Sequence, residues 1–251
     1  IVISPAKKLN HPVTTVDEPT IPTLLGDSKE LIKEAKSKSV QDLKKLMKIS
    51  DKLANLNVER FQQFTTPFTT NNSGPAIHSF AGDTYVGLDA ATMTSEDINY
   101  AQNHLGILSG LYGLLRPKDL MQPYRLEMGT SLKNPRGKNL YAFWGERITQ
   151  EINQHITEQN HKVLINLAST EYFSSIITSA LKAKVITPVF KEERNGVLKI
   201  ISFSAKRARG MMARYIIDHR LTKCEDLEQF NKDGYSFQAD LSDEANWVFV
   251  R

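Results

Sequence analysis

The chain contains a single cysteine, Cys224, which excludes an internal disulfide and any multi-cysteine metal site. That usage fits a reducing compartment. No run of about 18 consecutive apolar residues occurs, so no membrane-spanning helix is expected. The opening IVISPAKK has too short an apolar run for an export signal, and a cytoplasmic protein with no membrane partner is the expectation. There is no Walker loop and no dinucleotide G-x-G-x-x-G, which argues against a nucleotide-driven machine. The histidines, His11, His78, His104, His155, His161 and His219, are scattered without metal-ligand spacing. Neither a metal nor a cofactor is expected.

A length of 251 residues with 40% hydrophobic content supports one large domain or two intimate ones with a sizeable core. The formal charge of +4 is too small to imply a nucleic-acid partner by itself, so the location of the basic residues matters more than their sum. Ile1–Ile3 reads as a short buried strand, and 10–22 as an extended surface loop. Helical patterns begin near Asp27 or Ser28, at Ser39 and Ser50, and again at Ser95. Ala76–Phe80 and Thr84–Val86 read as strands around Gly82-Asp83. Leu140–Gln159 reads as one long helix, and Lys162–Leu167 as a buried strand. Lys184–Phe190 and Val197–Phe203 read as strands joined by an Asn-Gly turn, followed by a helix from Ser204 to Leu221. A last strand is expected over Trp247–Val250. Strands alternate with helices, so the class is mixed α and β.

The run Leu108–Arg125 reads as a helix end, a glycine hairpin, a short helix and a basic exit. Gly110 and Gly113 bracket Leu111 and Tyr112. A glycine hairpin between helices can bring backbone N–H groups to a phosphate, as helix-hairpin-helix elements do on DNA. Tyr112 stands where such a hairpin has its second glycine. The same residues also suit a structural turn between two core helices.

The helix after Ser204 places Ala205, Ala208, Met211, Met212, Tyr215 and Ile216 on one stripe and Lys206, Arg207 and Arg214 opposite. Arg209 borders the stripe, and Gly210 admits a close approach by a backbone or a phosphate. This basic face is either a solvated surface or an anion site. Ser4 and Lys7 match S-x-x-K, but the S-D-N and K-T-G companions of penicillin-recognising enzymes are missing. They either close a turn or mark a ligand position at a strand end. Arg125 either pairs with Glu127 or faces an anion while Glu127 orients it. Tyr124 lies beside Arg125 and Glu127, while Asp83, Tyr85 and Glu171 add polar groups next to strands, and the carboxylates Asp83 and Glu171 could do acid–base work or hold a metal.

Seven segments in order carry a resemblance: ISPAK at Ile3–Lys7, GDTYVGL at Gly82–Leu88, LSGLYGLLRP at Leu108–Pro117, DLMQPYRLEMG at Asp119–Gly129, FWG at Phe143–Gly145, NLAS at Asn166–Ser169 and AKRARG at Ala205–Gly210. Over Ile1–Arg251 the chain resembles the YaaA family of bacterial peroxide-stress proteins. The resemblance implies survival of hydrogen peroxide, with less free intracellular iron and less oxidative damage to DNA. It also implies one α/β domain with a helix-hairpin-helix element and a positively charged cleft that binds DNA.

The expectation is therefore a single compact α/β (mixed α+β) domain over 1–251, its strands flanked by helices, with a helix-hairpin-helix-like element at 96–122 and a basic cleft. The expected partner is DNA, duplex or distorted, bound without sequence readout by a monomer. Gly110, Leu111, Tyr112 and Gly113 would supply the hairpin. Lys7, Arg116, Arg125, Lys206, Arg207, Arg209 and Arg214 would supply charge. The alternative is an enzyme acting on a small anionic or nucleotide-like substrate. Its catalytic candidates are Ser4, Lys7, Asp83, Glu127 and Glu171, joined by Tyr124, Arg125 and Lys206. No reaction follows from these residues.

Overall fold

The computed structural model describes residues 1–10, 16–160 and 162–251. His11, His161 and part of the expected 10–22 loop lie outside the described residues. The centre of the molecule is a two-residue strand, β1 (Val2–Ile3), with both side chains buried. It runs parallel between β5 (Gly106–Ser109) and β8 (Val163–Leu167). Four of the five residues in β8 are buried, the pattern of a strand covered on both faces. Beyond β8 come β9 (Lys184–Arg194), parallel to β8, and β12 (Asn246–Val250), parallel to β9. Antiparallel strands close the edges, β6 (Gly113–Leu115) beside β5 and β11 (Ser236–Phe237) beside β12. With β10 (Val197–Lys199) on β9 the sheet has eight strands. Two short ribbons lie outside it: β2 (Lys8–Leu9) with β4 (Phe80–Ala81), and β3 (Gly74–Pro75) with β7 (Leu120–Met121).

The connection leaving β1 runs towards β5, whereas the one leaving β8 runs towards β9, in opposite directions across the sheet. The gap between β1 and β8 is a topological switch point, where diverging connections leave a crevice beyond the carboxyl ends of the strands. Ser4–Lys7 follow β1 there, and Ala168–Glu171 follow β8.

The long connection from β1 to β5 carries α1 (Leu25–Lys36), α2 (Val40–Met47), α3 (Asp51–Gln63), α4 (Ala76–Ser79), α5 (Asp83–Leu88) and α6 (Ser95–His104). Their start signals are ordinary: capping boxes Ser39/Asp42 and Thr94/Asp97, and Ser50 capping α3. Next come α7 (Leu140–Trp144), α8 (Arg147–Glu158) and α9 (Thr170–Phe173), and finally α10 (Ser202–Asp218). Helix α8 buries Ile148, Ile152 and Ile156 one turn apart.

Helices α5 and α10 cross at two glycines. A Cβ on Gly210 would lie 1.8 Å from the Thr84 carbonyl oxygen, and one on Gly87 would lie 2.1 Å from that of Arg207. The close approach that Gly210 permits is therefore to a backbone, not to a phosphate.

Four local expectations are corrected. The segment Leu108–Leu115 is a β-hairpin, not a helix-hairpin-helix: Gly106–Ser109 and Gly113–Leu115 pair antiparallel. Its flanks are strongly apolar, and the core takes the turn as well, with Leu111 and Tyr112 0% exposed. Trp144 donates from Nε1 to the Gly110 carbonyl at 3.0 Å, and the Tyr112 N–H donates to Ser109 Oγ at 2.9 Å. Residues 76–79 and 83–88 are helical rather than extended, because short apolar runs do not fix a period. The helix expected over Leu140–Gln159 is two helices, broken at Gly145, whose φ is +49°. The strand from Val197 stops at Lys199, and α10 starts at Ser202, so Ser204 lies inside the helix instead of capping it.

Candidate functional site

The two strand ends at the switch point are stapled by serine. The Ser169 N–H donates to Ser4 Oγ at 2.8 Å, and Ser4 Oγ donates to Ser169 Oγ at 3.3 Å. Tyr85, on α5, donates its hydroxyl to the Ser4 carbonyl at 3.1 Å. The Ser4 hydroxyl thus closes the junction between β1 and β8, as the turn-closing reading requires.

Beside this staple lies a narrow crevice lined by Pro5, Lys7, Tyr124, Arg125, Glu127 and Tyr172. Its charges converge on one oxygen. Glu127 Oε1 lies 2.9 Å from Arg125 Nη2 and 3.3 Å from Lys7 Nζ. The other oxygen, Glu127 Oε2, is buried with no hydrogen-bond partner among the described residues, and so is Arg125 Nε. An unanswered buried acceptor and an unanswered buried donor each cost stability, and native structures leave few of them. The surrounding phenols are neutral. Burial pushes those of Tyr85, Tyr124 and Tyr172 well above their ordinary value, and the Tyr124 hydroxyl is held by Ser109 Oγ at 2.6 Å. Glu171 Oε1 accepts the Gly129 N–H at 3.0 Å and so anchors the loop that carries Glu127.

A further cation, Arg60 on α3, stands near this group. It is half-buried and has no acidic partner among the described residues. Burial, and then the charge of Arg125, holds its guanidinium below the ordinary value. Gln122 joins the two segments: its side chain accepts the Thr65 N–H at 3.1 Å and donates to the Thr65 carbonyl at 3.0 Å. Sequence reasoning misses Arg60 because an arginine on an amphipathic helix looks like solvated surface. It also misses Ser169 and Tyr172, although NLAS marks the end of β8.

The structure brings Ser4, Lys7, Tyr124, Arg125, Glu127 and Glu171 to one end of β1 and β8. Asp83 is exposed at the start of α5, and no hydrogen bond or ion pair joins it to Glu171 among the described residues. Lys206 and Arg207 are exposed on α10, while Arg209 is half-buried and its pKa is lowered by that burial. Arg214 is closed off by Asp218 at 2.6 Å and by Thr92 Oγ1 at 2.7 Å. Arg116 pairs with Asp119 at 3.0 Å and lines a different hollow, at the amino end of β1. As a correction, Gly110, Leu111, Tyr112 and Gly113 are buried and present no N–H groups to a DNA backbone.

A larger cleft of about 550 Å³ lies at that amino end, lined in part by Tyr100, Lys162, Arg220 and Lys223. Its Arg220 is answered by Asp97 at 2.6 Å and lies over the Tyr100 ring. Among the described residues no three His, Cys, Asp or Glu side chains converge in a way that could hold a metal ion. No helix among them is long and apolar enough to cross a membrane.

The fold and the crevice define a class: an α/β protein with a polar, cation-rich crevice beyond the carboxyl ends of its parallel strands. A family model described as peroxide stress protein YaaA matches residues 1–241, and the chain belongs to that family. It is 52% identical over 251 residues to a UPF0246 protein of Idiomarina loihiensis, covering 100% of this chain and 97% of that one. It is 53% identical over 253 residues to a UPF0246 protein of Saccharophagus degradans, covering 100% and 98%.

Proposed function

We propose that this peroxide-stress protein binds the DNA backbone without reading sequence, on duplex or distorted DNA, and thereby limits oxidative damage. One observation carries this reading: Lys206 and Arg207 stand exposed near the start of α10 with no ion-pair or hydrogen-bond partner among the described residues. Helix α10 starts beyond the carboxyl ends of the parallel strands, the end where the crevice lies, since Arg251, just past β12, donates to Ser204 Oγ at 3.2 Å. Lys7 and Lys8 are exposed at the mouth. Unanswered cations along one edge suit a chain of phosphates. The hairpin has no part in this surface. Lowered free iron, which the family resemblance implies, would be an indirect consequence of such a role.

The test is binding to duplex, bubbled and junction DNA across a salt series. Each cation that neutralises a phosphate contributes about one to the log–log salt slope, so the double variant Lys206→Ala/Arg207→Ala should lower it by about 2. Arg214→Ala should leave the slope unchanged, because Asp218 already neutralises that guanidinium. An unchanged slope in the double variant would remove this face from the interface. A second reading is favoured by the unanswered atoms of Arg125 and Glu127: the crevice itself takes a small anionic or nucleotide-like substrate.

A further inference from the structure

We propose that Phe203, at the start of α10, stacks on the face of an unpaired DNA base, and that this side chain decides which strands the face of Lys206 and Arg207 prefers. The inference rests on the reading of that face as a phosphate-binding surface and names the residue that selects what it holds.

Folding normally buries phenylalanine, and here it makes no use of one. Phe203 is the second residue of α10, is 61% exposed and makes no ring contact among the described residues. A single exposed apolar side chain is ordinary. The setting of this one is not. Lys206 and Arg207 follow it by three and four residues, so all three share one face of the helix. Both cations are exposed and have no ion-pair or hydrogen-bond partner among the described residues. Arg209, three residues past Lys206, is half-buried and equally unpartnered.

The neighbouring acids do not cancel this charge. Arg194 and Arg251 hold Glu192, and Arg251 also holds Asp233. On the β9–β10 hairpin Glu193 is matched by Lys199. Asp83, exposed at the start of α5, stands alone against Lys206, Arg207 and Arg209.

An aromatic ring with cations one turn away suits a single strand: a base stacks on the ring while the phosphates beside it meet positive charge. A paired base shows only its edges in the grooves, because its faces are covered by the stack. Phe203 therefore has nothing to grip on an intact duplex, which the cations alone can hold. At a gap or a strand end the face of a base becomes available. Val86 on α5 and Ile200 just before α10 are also exposed, at 61% and 59%. A protein docking on this surface would need apolar area, whereas a base needs the ring, and that difference can be measured.

The experiment is fluorescence anisotropy with the full chain titrated into a short labelled thymidine strand, and into a strand of equal length whose sugars carry no bases, across a salt series. Phe203→Ala should weaken the thymidine strand about tenfold, the scale of one base–aromatic stack, and the abasic strand less than about twofold. Its log–log salt slope should match that of the parent chain, because no phosphate contact is lost. Phe203→Trp should keep the affinity and Phe203→Leu should lose it, since stacking requires a π-face. At such exposure these replacements leave the core untouched. If Phe203→Leu binds the thymidine strand as tightly as the parent, the contact is apolar packing and the proposal is overturned. It is also overturned, with the DNA reading intact, if Phe203→Ala binds that strand as tightly as the parent. If neither strand nor a duplex binds at low salt, the DNA reading falls and this inference falls with it.

Discussion

The crevice and the crossing of α5 on α10 are neighbours built on opposite plans. At the crossing the two backbones meet so closely that neither Gly87 nor Gly210 has room for one methyl group. In the crevice, buried polar atoms have no partner at all among the described residues. Tyr85 connects the two, since it sits on α5 between Gly82 and Gly87 and bonds the Ser4 carbonyl. The contrast teaches that the unanswered polarity of the crevice does not come from loose packing. A rigid frame fixes these atoms where they lie, as supporting contacts do around an ordered site.

The largest effect should come from filling the tight region. Gly210→Ala sets a Cβ against the Thr84 carbonyl, and α5 cannot retreat without giving up Tyr85 and the Ser4 staple. A loss of about 3 kcal/mol in urea denaturation is expected, as for strong overpacking. A loss below about 1 kcal/mol would mean that α5 shifts freely, and the rigid-frame argument would fail.

A smaller effect should separate two arginines. Arg136 is closed: its guanidinium bonds Asp27 at 2.5 Å and Glu30 at 2.6 Å and lies 4.3 Å from the centre of the Phe143 ring. Arg125 makes one such bond and faces the charge of Arg60. Arg136→Ala should cost about 2 kcal/mol, because Asp27 and Glu30 lose a shared partner at a partly buried site. Arg125→Ala should cost at least about 1 kcal/mol less, since removing it relieves the repulsion with Arg60. Equal losses in parallel urea titrations would show Arg125 to be an ordinary structural ion pair.

The same contrast explains what is legible in the sequence. Strand ends can be read locally: ISPAK and NLAS place polar residues directly after buried runs, so Ser4, Lys7 and Glu171 emerge as candidates. Arg125 and Glu127 are two residues apart, and their pairing is open to a local reading. The glycines are a different matter. Gly110 and Gly210 both signal a close approach, but the sequence does not say of what, and in each case the visitor is backbone or core rather than phosphate. Arg60 is invisible for a related reason, because its neighbour Arg125 is far away in the chain and only the fold brings their charges together. The helix of Asp83–Leu88 reads as a strand because its few apolar residues fit either period until α10 packs on them.

The smallest effect concerns acid, and it tests whether a closed contact of the frame sets the lower pH limit of the fold. Glu192, near the end of β9, is a closed carboxylate at the same sheet edge. Ser204 and Arg251, with Arg194, hold its carboxyl down at about 2, against an ordinary 4.5. Arg251 reaches it at 2.8 Å and Arg194 at 3.0 Å, so the contact ties α10 to the last strand. A carboxylate depressed in the folded state stabilises the fold above its unfolded pKa, and that contribution is lost as pH falls through the folded value. The loss should therefore run from about pH 4.5 down to about pH 2. Glu192→Gln should flatten this part of the stability–pH curve, with little change at neutral pH beyond the loss of one charged partner. If Glu192→Gln leaves the slope in that window as steep as before, this carboxylate is not what sets the acid limit, and its place among the closed contacts is wrong.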